Sequence, residues 1–115
     1  MSRFGVTGLF VALAATALLA QRTVTFEKLQ VTDTVIGLAF ATLNPPNAPG
    51  QAACEARAET AQMRYRFDGG TVGSTTGILF EVGDVLTLDH PADAGALRFV
   101  KTGSTTGVVQ VQCWP

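Results

Sequence analysis

Residues 63–88 read MRYRFDGGTVGSTTGILFEVGDVLTL and carry the clearest strand and turn pattern of the chain. Apolar and polar residues alternate in the first five positions, a period of two that is typical of a β-strand with one buried face. Asp68-Gly69-Gly70 and Val82-Gly83-Asp84 are turn sequences, because Asp stabilises turns and Gly permits them. Two short apolar runs follow these turns, at residues 77–80 and 85–88. This stretch therefore predicts three short strands joined by tight turns.

The pentapeptide GSTTG occurs at Gly73–Gly77 and again at Gly103–Gly107. Each copy is followed at once by an apolar or alternating segment. The sequences that flank the two copies differ, so duplication and convergence on a convenient turn both explain the repeat. We interpret it as turn chemistry that holds neighbouring strands in register rather than as a duplicated binding motif.

The remainder of the chain also favours strands. Cys54–Glu59 is compatible with a helix by propensity, but its alternation of small apolar and charged residues favours a strand with one wet face. Asp89–Gly95 is expected to be a loop. With further strand-like segments at 22–26, 34–38, 96–101 and 108–114, the chain predicts an all-β fold, an antiparallel β-sandwich or jelly-roll-like domain of about eight strands.

Two arginines alternate with the apolar residues of the first strand predicted in residues 63–88. If Met63, Tyr65 and Phe67 face the core, Arg64 and Arg66 lie together on the opposite face. They are candidate interface residues that could bind phosphate or a partner's carboxylate. Cross-strand pairing with a glutamate is the simpler explanation, and the candidates are Glu55, Glu59 and Glu81.

A proline-rich stretch, Asn44–Gly50, interrupts the first half of the chain. No regular element survives three prolines in such a short space, so we expect an exposed loop. Pro45 and Pro46 are candidate contacts for a partner. A plain surface connection is the simpler interpretation.

The N-terminus is strongly apolar, and no charged residue occurs between Arg3 and Arg22. The sequence predicts an apolar segment at 1–20 followed by a β-sandwich domain at 21–115. A short basic start, an apolar stretch and small residues near its end fit a secretory signal peptide. As a membrane-spanning helix the segment would be at the short limit.

A third interpretation of the N-terminal segment is an uncleaved arm that packs inside an assembly. In that case the apolar stretch Phe4–Ala20 would bury its surface against neighbouring subunits, and Phe4 and Phe10 become candidate interface residues. Apolar burial contributes about 25 cal/mol per Å², so such an arm would be a strong anchor.

The chain has two cysteines, Cys54 and Cys113. Both lie on the apolar side of their predicted strands, which suits a disulfide and equally suits two buried thiols. In an exported or virion setting a disulfide would tie an early strand to the last one. Closing a loop of this length would contribute on the order of 4 kcal/mol in the chain-entropy model.

Composition and motifs argue against several classes of function. A formal net charge of −1 and only 15% charged residues argue against nucleic-acid binding. The sequence has no zinc-ligand spacing and no phosphate-binding loop. The single histidine, His90, is expected to be a surface residue in a loop. We therefore expect no enzyme activity, no cofactor, no metal site and no small-molecule substrate.

The segments Glu59–Gly69, Gly77–Asp84, Leu86–Leu88 and Leu97–Val100, with the Thr-Gly-Ser turn and alternating last strand after them, resemble a group of small phage-encoded β-sandwich proteins found among virion structural genes. The resemblance implies a virion location and a non-enzymatic structural role: capsid decoration or cement, head-fibre base or another accessory protein. It also implies symmetric homo-oligomers that contact a major capsid protein or another virion protein.

Two features depart from this group, namely the apolar stretch before Gln21 and the two cysteines. They keep open an alternative: an exported β-sandwich, periplasmic or part of an extracellular filament, with a cleaved signal peptide. Contact with a membrane is expected only if the N-terminal segment is an anchor.

Overall fold

The structure is a computed structural model that describes residues 23–115. The predictions made for Phe4, Phe10 and the apolar segment 1–20 lie outside the described residues. Within residues 23–115 the chain forms eight strands and two short helices. In chain order these are β1 Thr25–Val31, β2 Ile36–Gly37, α1 Phe40–Leu43, β3 Ala53–Glu59, β4 Met63–Arg66, β5 Ile78–Phe80, β6 Val85–Leu88, α2 Pro91–Ala96, β7 Arg98–Lys101 and β8 Gly107–Trp114.

The strands form two antiparallel sheets of four. The first sheet has the order β1-β8-β3-β6, and the second has the order β2-β7-β4-β5. Buried side chains from both sheets form one core. The predicted all-β, antiparallel sandwich-like fold is therefore confirmed, and β3 is a strand rather than a helix.

Strands β3 and β8 form the centre of the first sheet, and the alternation along β8 shows which of its faces is buried. Val109, Val111 and Cys113 are buried, while Gln110 and Gln112 between them are more exposed. Successive side chains on a strand point to opposite faces, so a period of two buries one side of the sheet and leaves the other wet.

Aromatic residues of the second sheet fill the space between the layers. Phe99 is fully buried, and its ring centroid lies 6.0 Å from that of Phe80. Tyr65 packs edge-on against Phe80 at 5.3 Å. Met63 is fully buried, and Tyr65 and Phe67 are half-buried against the core, which confirms the predicted inward face of β4.

The expected loop at Asp89–Gly95 is wrong in part, because the chain forms helix α2 at Pro91–Ala96. Pro91 and Gly95 suggest a break when they are read as punctuation. At the first helical position, however, proline has the φ that the helix needs and loses no hydrogen bond. Asp93 lies in the first turn, where a negative charge is favourable.

Both GSTTG copies form connections between strands. The first lies between β4 and β5, where Gly73 and Thr76 exchange backbone hydrogen bonds of 2.9 and 3.2 Å. The second joins β7 to β8. The repeat is therefore turn structure at both of its positions.

Candidate functional site

Arg64 and Arg66 lie on the outer face of the second sheet, and both bind the connection between β4 and β5. Arg64 donates through Nε to the carbonyl oxygen of Ser74 at 3.1 Å and through Nη1 to that of Gly77 at 2.8 Å. Arg66 donates through Nη1 to the carbonyl oxygen of Thr71 at 3.0 Å. The two side chains therefore hold the long connection between β4 and β5 against strand β4.

Arg66 also forms a two-pronged ion pair with Asp68. Its Nε lies 2.9 Å from one carboxylate oxygen and its Nη2 lies 2.6 Å from the other. These hydrogen bonds, with another from the Gly70 amide, lower the pKa of Asp68 to about 2. The expected glutamate partners are wrong: neither arginine pairs with Glu55, Glu59 or Glu81 among the described residues. The first two belong to β3 in the other sheet.

A third arginine, Arg98, joins this face and was not among the predicted site residues. It is the register partner of Arg66 across β7 and β4. Its Nη1 donates to the carbonyl oxygens of Gly95 and Leu97, at 2.9 and 2.7 Å. Within residues 23–115 it has no carboxylate partner. Arg98 lies between the buried residues Leu97 and Phe99, and the strand order places it beside Arg66.

A cleft of about 300 Å³ opens beside the Arg66–Asp68 pair, lined by Arg66, Phe67, Asp68, Thr76, Gly77 and Ile78. Phe67 and Ile78 give it an apolar wall. Arg66 and Asp68 at its rim are paired with each other by hydrogen bonds. The cleft therefore presents apolar surface rather than unpaired reactive groups.

The proline loop is only partly exposed. Pro45 is buried and Pro46 is exposed, so the expectation of an exposed loop is wrong for the first of the two. The Gln51 amide closes the loop by donating to the carbonyl oxygen of Leu43 at 2.8 Å. The buried Gln51 side chain then donates to the carbonyl oxygen of Thr23 at 2.9 Å. Pro46 and Pro49 are the prolines of this loop that a partner could reach.

Cys54 and Cys113 are register partners on β3 and β8, and both are buried. The structure joins them in a disulfide, with the sulfur atoms 2.07 Å apart and the Cα atoms 4.1 Å apart. The bond links two strands of the same sheet and crosses 59 residues of sequence.

The outer face of the first sheet is polar and mixed in charge. A shallow groove of about 190 Å³ crosses it, lined by Phe26, Glu55, Arg57, Gln110, Val111 and Gln112. Phe26 is 63% exposed at its margin. Charges of both signs alternate here, an arrangement typical of a solvated sheet face.

One margin of the sandwich is apolar. Strands β5 and β6 end their respective sheets and are joined by residues 81–84, so their open edges lie side by side. Four large apolar side chains on this margin are exposed: Ile78 at 53%, Leu79 at 42%, Val82 at 58% and Val85 at 46%. We name these four residues the apolar edge. By register, Leu79 lies on the outer face of the second sheet opposite Arg64, and Val85 lies on the outer face of the first sheet opposite Arg57. The four side chains therefore line the margin from more than one direction, and exposed apolar side chains grouped at a margin are candidates for burial against another protein.

The sequence predicted β5 as a short apolar strand, but it did not show the apolar edge. That surface depends on β5 and β6 both ending a sheet on the same side, and strand order is not encoded in any short stretch of residues.

In the described part of the chain, no cluster of three or more His, Cys, Asp or Glu side chains could hold a metal ion. His90 is exposed. The helices found between residues 23 and 115 are all too short to cross a membrane.

Comparisons with protein-family models, curated protein sequences and solved structures found no match for this chain.

Proposed function

We propose that the chain is a non-enzymatic structural protein of a phage particle, a capsid decoration or cement protein or another virion accessory protein, that acts through symmetric self-association. The observation that carries the proposal is the apolar edge. Four large aliphatic side chains that are each 42–58% exposed are costly to leave in water but suitable for burial against another protein.

The distribution of chemistry in the described residues supports a structural role. The side chains of Arg64, Arg66 and Asp68 form hydrogen bonds within or to the connection between β4 and β5. The four exposed side chains of the apolar edge are aliphatic and carry no reactive group. Decoration proteins need no deep pocket, because many weak contacts on a symmetric lattice combine into strong attachment.

The partners in this proposal are other copies of the chain and a major capsid protein or another virion protein. Pro46 is exposed, and the exposed Arg98 has no carboxylate partner within residues 23–115, so both are available for the second kind of contact. Fractionation of particles from the native source tests the proposal. We expect the chain to co-sediment with purified particles in many copies per particle, measured by quantitative mass spectrometry. Its absence from particles that carry the other structural proteins would contradict the proposal.

A second candidate is an exported β-sandwich, periplasmic or part of an extracellular filament, and the Cys54–Cys113 disulfide favours it. Disulfides form and persist in oxidising compartments, whereas cytosolic thiols stay reduced. Intact-mass measurement of the native protein separates the two. A terminus at Met1 or Ser2 supports the particle protein with a retained arm, and a terminus at Gln21 supports export with cleavage.

A further inference from the structure

We infer that two copies of the chain associate by pairing their β5 strands in antiparallel fashion about Leu79, which doubles the second sheet. This inference rests on the proposed self-association and names the surface that performs it. The contact is isologous, so each copy uses the same residues.

The first argument is that the edge of β5 is open. Strand β5 pairs with β4 on one side, and among residues 23–115 no strand pairs with its other side. An edge strand presents unpaired backbone N–H and C=O groups that can pair with a second chain. Natural edges are often blocked by a charge, a proline or a bulge, but Ile78–Phe80 contains neither a charge nor a proline.

The second argument is that the strand is self-complementary in shape. Antiparallel pairing centred on Leu79 places Leu79 against its own copy on the outer face of the sheet. It also places Ile78 against Phe80, and Gly77 against Glu81. Side chains of directly opposed residues lie about 5 Å apart, so the two leucines would cover each other. Leu79 is 42% exposed and Ile78 is 53% exposed in the single chain.

The third argument is charge complementarity. Leu79 is the register partner of Arg64, whose guanidinium group lies 2.8 Å from the carbonyl oxygen of Gly77. The pairing brings Glu81 of the second copy opposite Gly77, on the same face and therefore beside Arg64. Within the described residues Arg64 donates only to carbonyl oxygens, and Glu81 accepts only from Gln62 at 2.6 Å and has no cationic partner. Because a two-fold axis at Leu79 relates the two copies, the dimer contains this Arg64–Glu81 pair twice.

Size-exclusion chromatography with light scattering on the full chain tests the inference. We expect the wild type to self-associate and Leu79→Lys to halve the measured mass, or to raise the dissociation constant at least ten-fold, because two lysines would face each other across the axis. Val35→Lys is the matched control, since Val35 is exposed to a similar degree (45%) but lies outside the apolar edge. It should leave the mass unchanged.

Charge reversal tests the register. Arg64→Glu and Glu81→Arg should each weaken self-association, because each creates like-charge pairs at the axis. An equimolar mixture of the two variants should restore it, since in the mixed dimer both pairs are again of opposite charge. Native mass spectrometry would show mixed dimers well in excess of either homodimer. If Arg64→Glu does not fold, Glu81→Arg alone decides, and unchanged association of that variant overturns the inference.

The outcomes separate this inference from the proposed function. A wild type that associates while Leu79→Lys associates equally well overturns the β5 pairing and leaves the structural role intact. In that case loss of association in Phe10→Asp would assign the contact to the N-terminal arm instead. A wild type that remains monomeric at high concentration contradicts both.

Discussion

The last glycine of each GSTTG copy lies where a side chain would collide with its surroundings. Gly77 has φ +129°, and a Cβ there would lie 3.0 Å from both the Tyr65 carbonyl oxygen and a Val72 methyl group. A Cβ on Gly107 would lie 2.6 Å from the end of the Met63 side chain. The first glycine of each copy, by contrast, has open space around it. The repeat therefore has one constrained end and one free end.

Gly77→Ala should destabilise the fold by about 1–3 kcal/mol, because only glycine adopts this backbone conformation without strain. Urea unfolding followed by circular dichroism measures the difference. Gly73→Ala is the matched control from the same pentapeptide and should change stability little. Similar losses for both variants would show that the strain at Gly77 is not what matters.

Asp68 should titrate at about pH 2, well below its ordinary value of 3.8, because the Arg66 hydrogen bonds favour its charged form. A carboxyl whose folded pKa is lowered contributes stability above its ordinary pKa and loses it as the pH falls through the folded pKa. The ion pair should therefore weaken between about pH 4 and pH 2. Carboxyl ¹³C NMR measures the titration, and Arg66→Gln should return the pKa toward the ordinary value. Arg57→Gln, on the other sheet, should not.

At the scale of the elements, alternation in the sequence was enough to predict β3, β4 and β8, because each buries one face and wets the other. Helix α2 differs from the expected loop because Pro91 and Gly95 are typical of turns, although proline is favourable at the first helical position. The pairing of strands could not be predicted from the sequence, because it depends on contacts between residues far apart in the chain. For the same reason the sequence did not place Arg98 beside Arg64 and Arg66.

The ion pair between Arg66 and Asp68 shows that a contact between residues close in sequence can also be missed. Asp68 lies two residues after Arg66, but the two glycines that follow it indicate a turn and give no sign of an ion pair. In the structure Asp68 both stabilises the turn and pairs with the arginine. Its carboxylate accepts a hydrogen bond from the Gly70 amide at 3.1 Å and another from the Arg66 guanidinium. Turn chemistry and ion pairing are compatible in a single carboxylate.

Phe99→Ala should destabilise the sandwich by about 3–5 kcal/mol, because Phe99 is fully buried between the sheets and its removal leaves a cavity. Tyr65→Ala should cost less, since Tyr65 is only half-buried. Guanidinium unfolding gives both values. Phe26→Ala is the control for loss of an aromatic ring, because Phe26 is 63% exposed. A ranking with Phe26 above Phe99 would contradict the assigned core.

At the scale of the whole molecule, the Cys54–Cys113 disulfide connects stability to the compartment where the protein works. Removing it by the double substitution Cys54→Ala and Cys113→Ala should cost about 2–5 kcal/mol and lower the Tm. Thiol labelling of unfolded protein should find no free thiol before reduction and two after it. Two free thiols in protein purified without reductant would place the native molecule in a reducing environment.

We propose that many copies of this sandwich repeat across the surface of a phage particle. Cryo-electron microscopy of particles from the native source tests it most directly. We predict density for the two four-stranded sheets at symmetry-related positions, with neighbouring copies in contact. Well-resolved particles on which this density is missing, from a source that expresses the protein, would contradict the claim.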